Sequence, residues 1–196
     1  MNSITRIQYN APVTLTYALL SLLVLGLSFV IDPFLYQRLF SVFSAPLTDP
    51  LTYWRMFSHV LGHANYAHFM GNFMLILLVG PLLEERYGAK WMIIMMVVTA
   101  FVTGVLHMIV SDAAKLGASG IVFMLILLSS FTNLQRGRVP LTLILVLGIF
   151  IGREVVAAAS ADVDNNIAYM SHIVGGLCGA MFGFIANKDI HRGLFE

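Results

Sequence analysis

From Lys90 to Val110 the chain is apolar for the length of a membrane-spanning helix, and the polar stretch Ser111-Asp112-Ala113-Ala114-Lys115 then interrupts it. Apolar sequence resumes at Ser119 but lasts only to about Asn133. At about 1.5 Å per residue, roughly 14 residues of helix rise about 21 Å. The hydrocarbon core of a bilayer is about 30 Å thick. A helix that short is submerged or ends early, so the connection ahead of it, Gly117-Ala118-Ser119-Gly120, dips below the surface. Non-helical backbone at that depth persists only where protein buries it or where it lines a wet cavity. Ser119, at the start of the short helix and facing such a cavity, is a candidate nucleophile.

Six apolar runs stand out, at about 13–31, 67–83, 90–110, 119–133, 139–158 and 169–186. They predict an all-α, polytopic membrane protein, a six-helix bundle forming one domain over residues 1–196. Hydrophobic residues make up 59% of the 196 and charged residues 11%. A soluble domain of this size lacks the interior for that much apolar surface. A formal charge of +1 with no basic run argues against nucleic acid as a partner. The single cysteine, Cys178, allows no disulfide within the chain. Val13 to Ile31 exceeds a signal-peptide core and lacks a small-x-small cleavage site, so it reads as a retained first span. Met1 to Ala11 is too short for a soluble domain.

Arg6, Arg86, Lys90, Arg136, Arg138, Lys188 and Arg192 flank the spans on one side, and Arg38, Arg55, Lys115 and Arg153 on the other. The larger set sits in the short loops, which places both termini in the cytoplasm. The longest connection runs from Asp32 to Asn65. In it Leu35, Leu39, Val42 and Phe43 share one helical face, predicting an amphipathic helix in the outer interface that Pro46 and Pro50 stop. Trp54-Arg55 has the composition of an interfacial anchor, membrane anchoring by an aromatic and a cation.

His172 opens the sixth run, and three residues later comes a glycine series, Gly175, Gly179 and Gly183, with Gly176 and Ala180 beside it. Small residues four apart form a groove that admits another helix backbone. The natural partner is the Gly117/Gly120 start of the fourth run, which would bring the His172 imidazole to the Ser119 hydroxyl. An alcohol nucleophile needs an adjacent base, and histidine is the usual one. A packed histidine bonding a backbone carbonyl is the competing reading of His172. Ionisable groups inside spans are functional candidates by default. His68 and Asn72, four apart, lie on one face of the second run and suit hydrogen-bond donation to an oxyanion. The unsatisfied Ser119 N–H at the helix start is a further donor. Taken alone, Asn72 reads better as an interhelical hydrogen bond.

His59, His63 and His68 follow at spacings of four and five, but no HExxH, paired cysteine or neighbouring carboxylate supports a metal, and none is expected. Gly117 to Ile121 is not a G-x-S-x-G elbow, because Ile121 takes the last place and no strand precedes it. No pair of aspartates sits inside the spans, which removes an intramembrane aspartic protease.

Together these motifs resemble the rhomboid family of intramembrane serine proteases, in its bacterial six-span form, from Trp54 to about Phe184. The stretch Trp54-Arg55, His59, His63, His68, Asn72 is similar to the family's WR…HxxxxHxxxN. Glu84-Glu85-Arg86-Tyr87-Gly88 resembles its ExRxG, Gly117 to Gly120 its GxSG, and His172 to Gly179 its AHxxGxxxG. The resemblance implies Ser119 as nucleophile and His172 as general base, with His68, Asn72 and the Ser119 amide as the oxyanion hole. It implies support from Gly117, Gly120, Phe123, Gly175 and Gly179. It implies hydrolysis of peptide bonds in or beside transmembrane segments, without a cofactor, in a bacterial inner membrane. The partners would be transmembrane substrates and the lipid bilayer. The 32–65 loop would lie in the outer leaflet, and the fifth span with the loop to Asn166 would gate substrate access. Ser171 stands where the family has Ala, Phe123 where many members have Tyr, and Arg153-Glu154 falls within the fifth span. An inactive rhomboid-like binder of transmembrane helices is the alternative, although such proteins typically lose one of the site residues kept here. A six-span transporter would need an internal repeat, and the two halves show no similarity.

Overall fold

The computed structural model describes residues 8–132, 163–190 and five positions between them, Leu141, Ile144, Leu145, Gly148 and Gly152. The protein is all-helical among the described residues, with one isolated β-bridge between Val42 and Lys115. In chain order the helices are α1 (Pro12–Leu27), α2 (Pro33–Phe40), α3 (Pro50–Ser58), α4 (Tyr66–Val110), α5 (Ser119–Thr132) and α6 (Val163–Ile190).

Pro12 opens α1, and the N–H groups it leaves unsatisfied meet a carboxylate from a distant part of the chain. Glu84 accepts from Val13 N at 2.8 Å, from Thr14 N at 2.9 Å and from Thr14 Oγ1 at 2.8 Å. A negative group at a helix N-terminus is favoured by the macrodipole as well as by the bonds. Gly80, one turn before Glu84, lies under Thr14: a Cβ there would be 2.7 Å from Thr14 Cγ2. The span expected at 13–31 is thus a 16-residue helix, with residues beyond Leu27 in turns.

The helix expected in the 32–65 loop is shorter and faces another way. Asp32 caps α2, accepting from Phe34 N and Leu35 N, and Tyr36 and Phe40 are its buried pair. Leu35 is exposed, and Val42 and Phe43 lie past the helix end. The reason is long-range: Ser41 turns extended so that Val42 can exchange both backbone hydrogen bonds with Lys115, at 2.8 and 2.9 Å. Pro50 ends nothing. It begins α3, with Asp49 capping Leu51 N at 3.0 Å.

The expected second and third spans, 67–83 and 90–110, form the single 45-residue element α4, broken only at Gly88 (φ 79, ψ 156). A side chain rarely adopts that φ, which is why glycine stands there. A straight helix would hold Asn72 and Thr103 roughly 46 Å apart. Both lie against the start of α5: a Cβ at Gly117 would be 3.9 Å from Asn72 Nδ2, and one at Gly120 would be 3.1 Å from Thr103 Cγ2. The two halves of α4 therefore fold back on each other at Gly88. This element is long and apolar enough to cross a membrane, while α1, α5 and Ser171–Ala186 are shorter apolar helices.

The core, including Phe73, Ile76, Met92, Met124, Leu125 and Leu128, joins α4 to α5. Leu23, Leu78, Leu82 and Phe184 remain exposed on the outside. That surface suits hydrocarbon and would be costly in water. Helix α6 begins at Val163, earlier than the predicted 169. The expected fifth span, 139–158, lies outside the described residues apart from the five helical positions named above, and Arg153 and Glu154 lie outside them too.

Candidate active site

The site is built where three segments converge on the start of α5. Gly117 has φ 130, a conformation that side chains avoid, and this turns the chain from the Lys115 bridge into the helix. Its N–H donates to His59 O at 2.9 Å, so the turn is tied to the end of α3. On its other face a Cβ would lie 2.8 Å from both Cε1 and Nε2 of His68. Backbone and imidazole are therefore in direct contact, and only glycine permits it. Asn72, one helical turn below His68, is 7% exposed, and its Nδ2 is buried without a partner among the described residues. A buried amide donor left unmade is costly, and this one sits beside the turn that presents Ser119.

From the other side α6 approaches through its glycines. A Cβ on Gly175 would be 2.8 Å from Gly120 Cα, and one on Gly179 would be 2.9 Å from Met124 Cα. The two backbones touch at successive turns, and Gly183 continues the contact against Phe131. Ser119 and Phe123 are four apart and share a face of α5. The Phe123 ring lies 4.6 Å from the His172 ring, tilted by 36°. Ser171 is buried, and its carbonyl oxygen would be 3.5 Å from a Cβ on Gly120. The start of α5 at Ser119 and the part of α6 around His172, about two and a half turns in from Val163, thus meet at one crossing, with His68 and Asn72 beside the turn.

His59 and His63 serve the frame. His59 Nδ1 pairs with Arg55 O at 3.1 Å, and its Nε2 lies 3.5 Å from Thr103 Oγ1. Burial, reinforced by the Lys115 cation, pushes His59 down to about 3. His63 packs edge-on against His68, Phe69 and Phe73. Burial, with the nearby His68 ring contributing, pushes it down to about 4. Its N–H donates to Tyr36 Oη at 3.1 Å, and that hydroxyl donates to His63 O at 3.2 Å. Among the described residues no three His, Cys, Asp or Glu side chains converge as metal ligands would.

The two residues of the expected anchor divide. Trp54 is half exposed, its indole N–H donating to Leu39 O at 2.9 Å. Arg55 is 2% exposed, its guanidinium bonded to Asp49 and Thr52 and resting 4.5 Å from the centre of the Phe43 ring. It holds the loop together from inside. Thr103 and the Val42–Lys115 bridge were not singled out from sequence. Thr99, Thr103 and His107, at four-residue spacing within an apolar run, form a polar stripe that marks a buried face. A two-residue bridge leaves no such periodic trace.

The family model described as Rhomboid domain matches residues 50–189. The chain is 28% identical to "Rhomboid protease GlpG" of Haemophilus influenzae over 141 residues, 69% of this chain and 70% of that protein. It is 27% identical to "Putative rhomboid protease YdcA" of Bacillus subtilis over 146 residues, 71% and 70% of the two chains. Against "Rhomboid-like protein 11, chloroplastic" of Arabidopsis thaliana it is 26% identical over 145 residues, 64% of this chain and 50% of the relative. The matched region holds α3, α4, α5 and nearly all of α6, every segment that converges on Gly117, and with this the chain belongs to the rhomboid family.

Proposed function

We propose that this protein is an intramembrane serine endopeptidase that cuts peptide bonds in or next to transmembrane segments. The observation that carries the reading is the contact of Gly117 with His68 and Asn72 at the very turn that presents Ser119, opposite the helix crossing that brings in His172. Names of relatives such as "Rhomboid protease GlpG" support the same class of reaction.

In this reading Ser119 Oγ attacks the scissile carbonyl carbon while His172 takes its proton. The oxyanion that forms accepts hydrogen bonds from Asn72, His68 and the Ser119 N–H. His172 then hands the proton to the leaving amine, the C–N bond breaks and an acyl-enzyme remains. Water, deprotonated by His172, attacks that ester and restores Ser119. The chemistry needs no cofactor. Six spans, cytoplasmic termini and a 32–65 loop in the outer leaflet complete the proposal, with the fifth span gating access.

A helix hides its carbonyls in i to i−4 bonds, so the favoured substrates unwind near one end, through Gly, Pro or polar residues. A small residue before the cut lets the carbonyl reach within about 3 Å of the donors. The test is covalent labelling of Ser119 by a fluorophosphonate in detergent, alongside cleavage of a single-span substrate with Ala at the cut site. Labelling and cleavage lost together in Ser119→Ala support the proposal. An intact protein that binds the span but neither labels nor cuts is the inactive binder instead.

A further inference from the structure

A cavity of about 460 Å³ opens in the 32–65 loop, walled among others by Phe34, Arg38, Phe43, Asp49, Arg55 and Ala114, and it shares no residue with the Ser119 constellation. Its ionisable groups are two guanidiniums and one carboxylate, which leaves one positive charge unbalanced. Asp49 is already satisfied: one oxygen accepts from Leu51 N at 3.0 Å and the other from Arg55 Nη2 at 2.9 Å. Arg55 is 2% exposed, and its Nε is buried with no hydrogen-bond partner among the described residues. Arg38 is exposed and forms no ion pair or hydrogen bond among the described residues.

We infer that this cavity binds the phosphodiester headgroup of an anionic phospholipid, held between Arg38 and Arg55. Guanidinium forks match phosphate oxygens in geometry as well as charge, and a single negative charge balances the cavity. The surroundings point to a lipid. Phe34 is 70% exposed, Leu47 59% and Leu35 46%, in the same loop as the half-exposed Trp54. Apolar side chains so displayed around a cationic cavity suit the boundary between headgroups and acyl chains, where lipid phosphate is concentrated.

The site lies next to the frame of the nucleophile turn. Phe43 and Ala114 in its wall adjoin Val42 and Lys115, which exchange the two bridge hydrogen bonds, and Gly117 follows two residues later. A bound headgroup braces that bridge. A consequent effect on cleavage rate rests on the proposed protease activity, whereas the binding does not.

The experiment uses the full chain in nanodiscs of phosphatidylcholine, with or without phosphatidylglycerol, and reads the thermal unfolding midpoint. In detergent, short-chain phosphatidylglycerol and inorganic phosphate are titrated separately. The expected results are a midpoint raised by phosphatidylglycerol and no comparable response to inorganic phosphate. Arg38→Gln, at an exposed position, should unfold normally in phosphatidylcholine yet bind phosphatidylglycerol about tenfold more weakly, as loss of a charge-assisted bond implies. An unchanged response in Arg38→Gln overturns the site. An equal response to inorganic phosphate overturns its assignment to lipid. If Arg38→Gln impairs only cleavage of substrates with acidic flanks, keeping its full lipid response, the cavity reads peptide and the inference fails. Loss of Ser119 labelling in the wild type would remove the protease reading and leave the lipid shift standing.

Discussion

Gly175 of α6 lies so close to Gly120 of α5 that a Cβ added to it would sit 2.8 Å from Gly120 Cα. The obstacle is backbone, which has no rotamer through which to yield. Among the described residues a Cβ on Gly176, one position on, would meet only Leu127 carbons at 3.7 Å, an ordinary contact. Gly175→Ala should therefore force the crossing apart, costing about 1–3 kcal/mol as overpacking does. Gly176→Ala, meeting no backbone, should be neutral or stabilising by up to about 1 kcal/mol through helix propensity. Thermal unfolding of the two variants in one detergent decides it, and equal midpoints would refute the tight crossing.

Asn72 and Ser119 should fail differently. Ser119→Ala removes the proposed nucleophile, so labelling and cleavage should vanish. Asn72→Ala removes one of several oxyanion donors, a loss that costs on the order of 10²–10³ in rate. Residual cleavage in Asn72→Ala with an unchanged fold is the expected outcome. Total loss equal to that of Ser119→Ala would make the donors a single unit or Asn72 structural.

Glu84 accepts three hydrogen bonds at the start of α1, far from the site. Glu84→Gln keeps the shape but gives up the charge and one acceptor oxygen. Stability should fall by about 1.5–3 kcal/mol, the range for hydrogen bonds to charged groups. The fraction still folded should cleave at the wild-type rate. A changed turnover per folded molecule would mean that α1 positions the site.

Acid should loosen the loop before it reaches the carboxylates. His59 is held neutral in the fold, its value pushed down to about 3, while an unfolded histidine titrates near 6.5. The group therefore contributes its full stability above about pH 6.5 and loses it progressively as pH falls toward about 3. Between pH 6.5 and 5 the loss is roughly 2 kcal/mol. His63, pushed down to about 4, acts in the same direction. Asp49, held below the ordinary carboxylate range by the Leu51 N–H and Arg55, loses its contribution only at lower pH. Unfolding midpoints from pH 8 to 4 should slope downward below about 6.5, and His59→Asn should flatten that slope. A slope identical to wild type would clear His59 of the effect.

The family and the all-helical class were legible in the chain because both depend on residue identity at short range. Long apolar runs leave helix as the backbone's resort in hydrocarbon, and Gly117-Ala118-Ser119-Gly120 or His172 to Gly179 can be recognised in one dimension. The candidate site was legible as a set of side-chain types, not as a place. What brings Gly117 against His68 and Asn72 is the reversal at Gly88, one φ of 79 inside a sequence that otherwise continues as helix. Pairings between distant backbones decided the loop: Val42 with Lys115, and His59 O with Gly117 N. They ended α2 at Phe40 and took Val42 out of the helical face its spacing suggested. Arg55 reads as an interfacial anchor because a cation beside an aromatic usually sits at headgroup depth, yet the fold buries it against Asp49, Thr52 and Phe43. Local chemistry can be read along the chain. Tertiary structure decides which distant polar groups find one another, because each buried partner is worth satisfying only once the fold has brought it there.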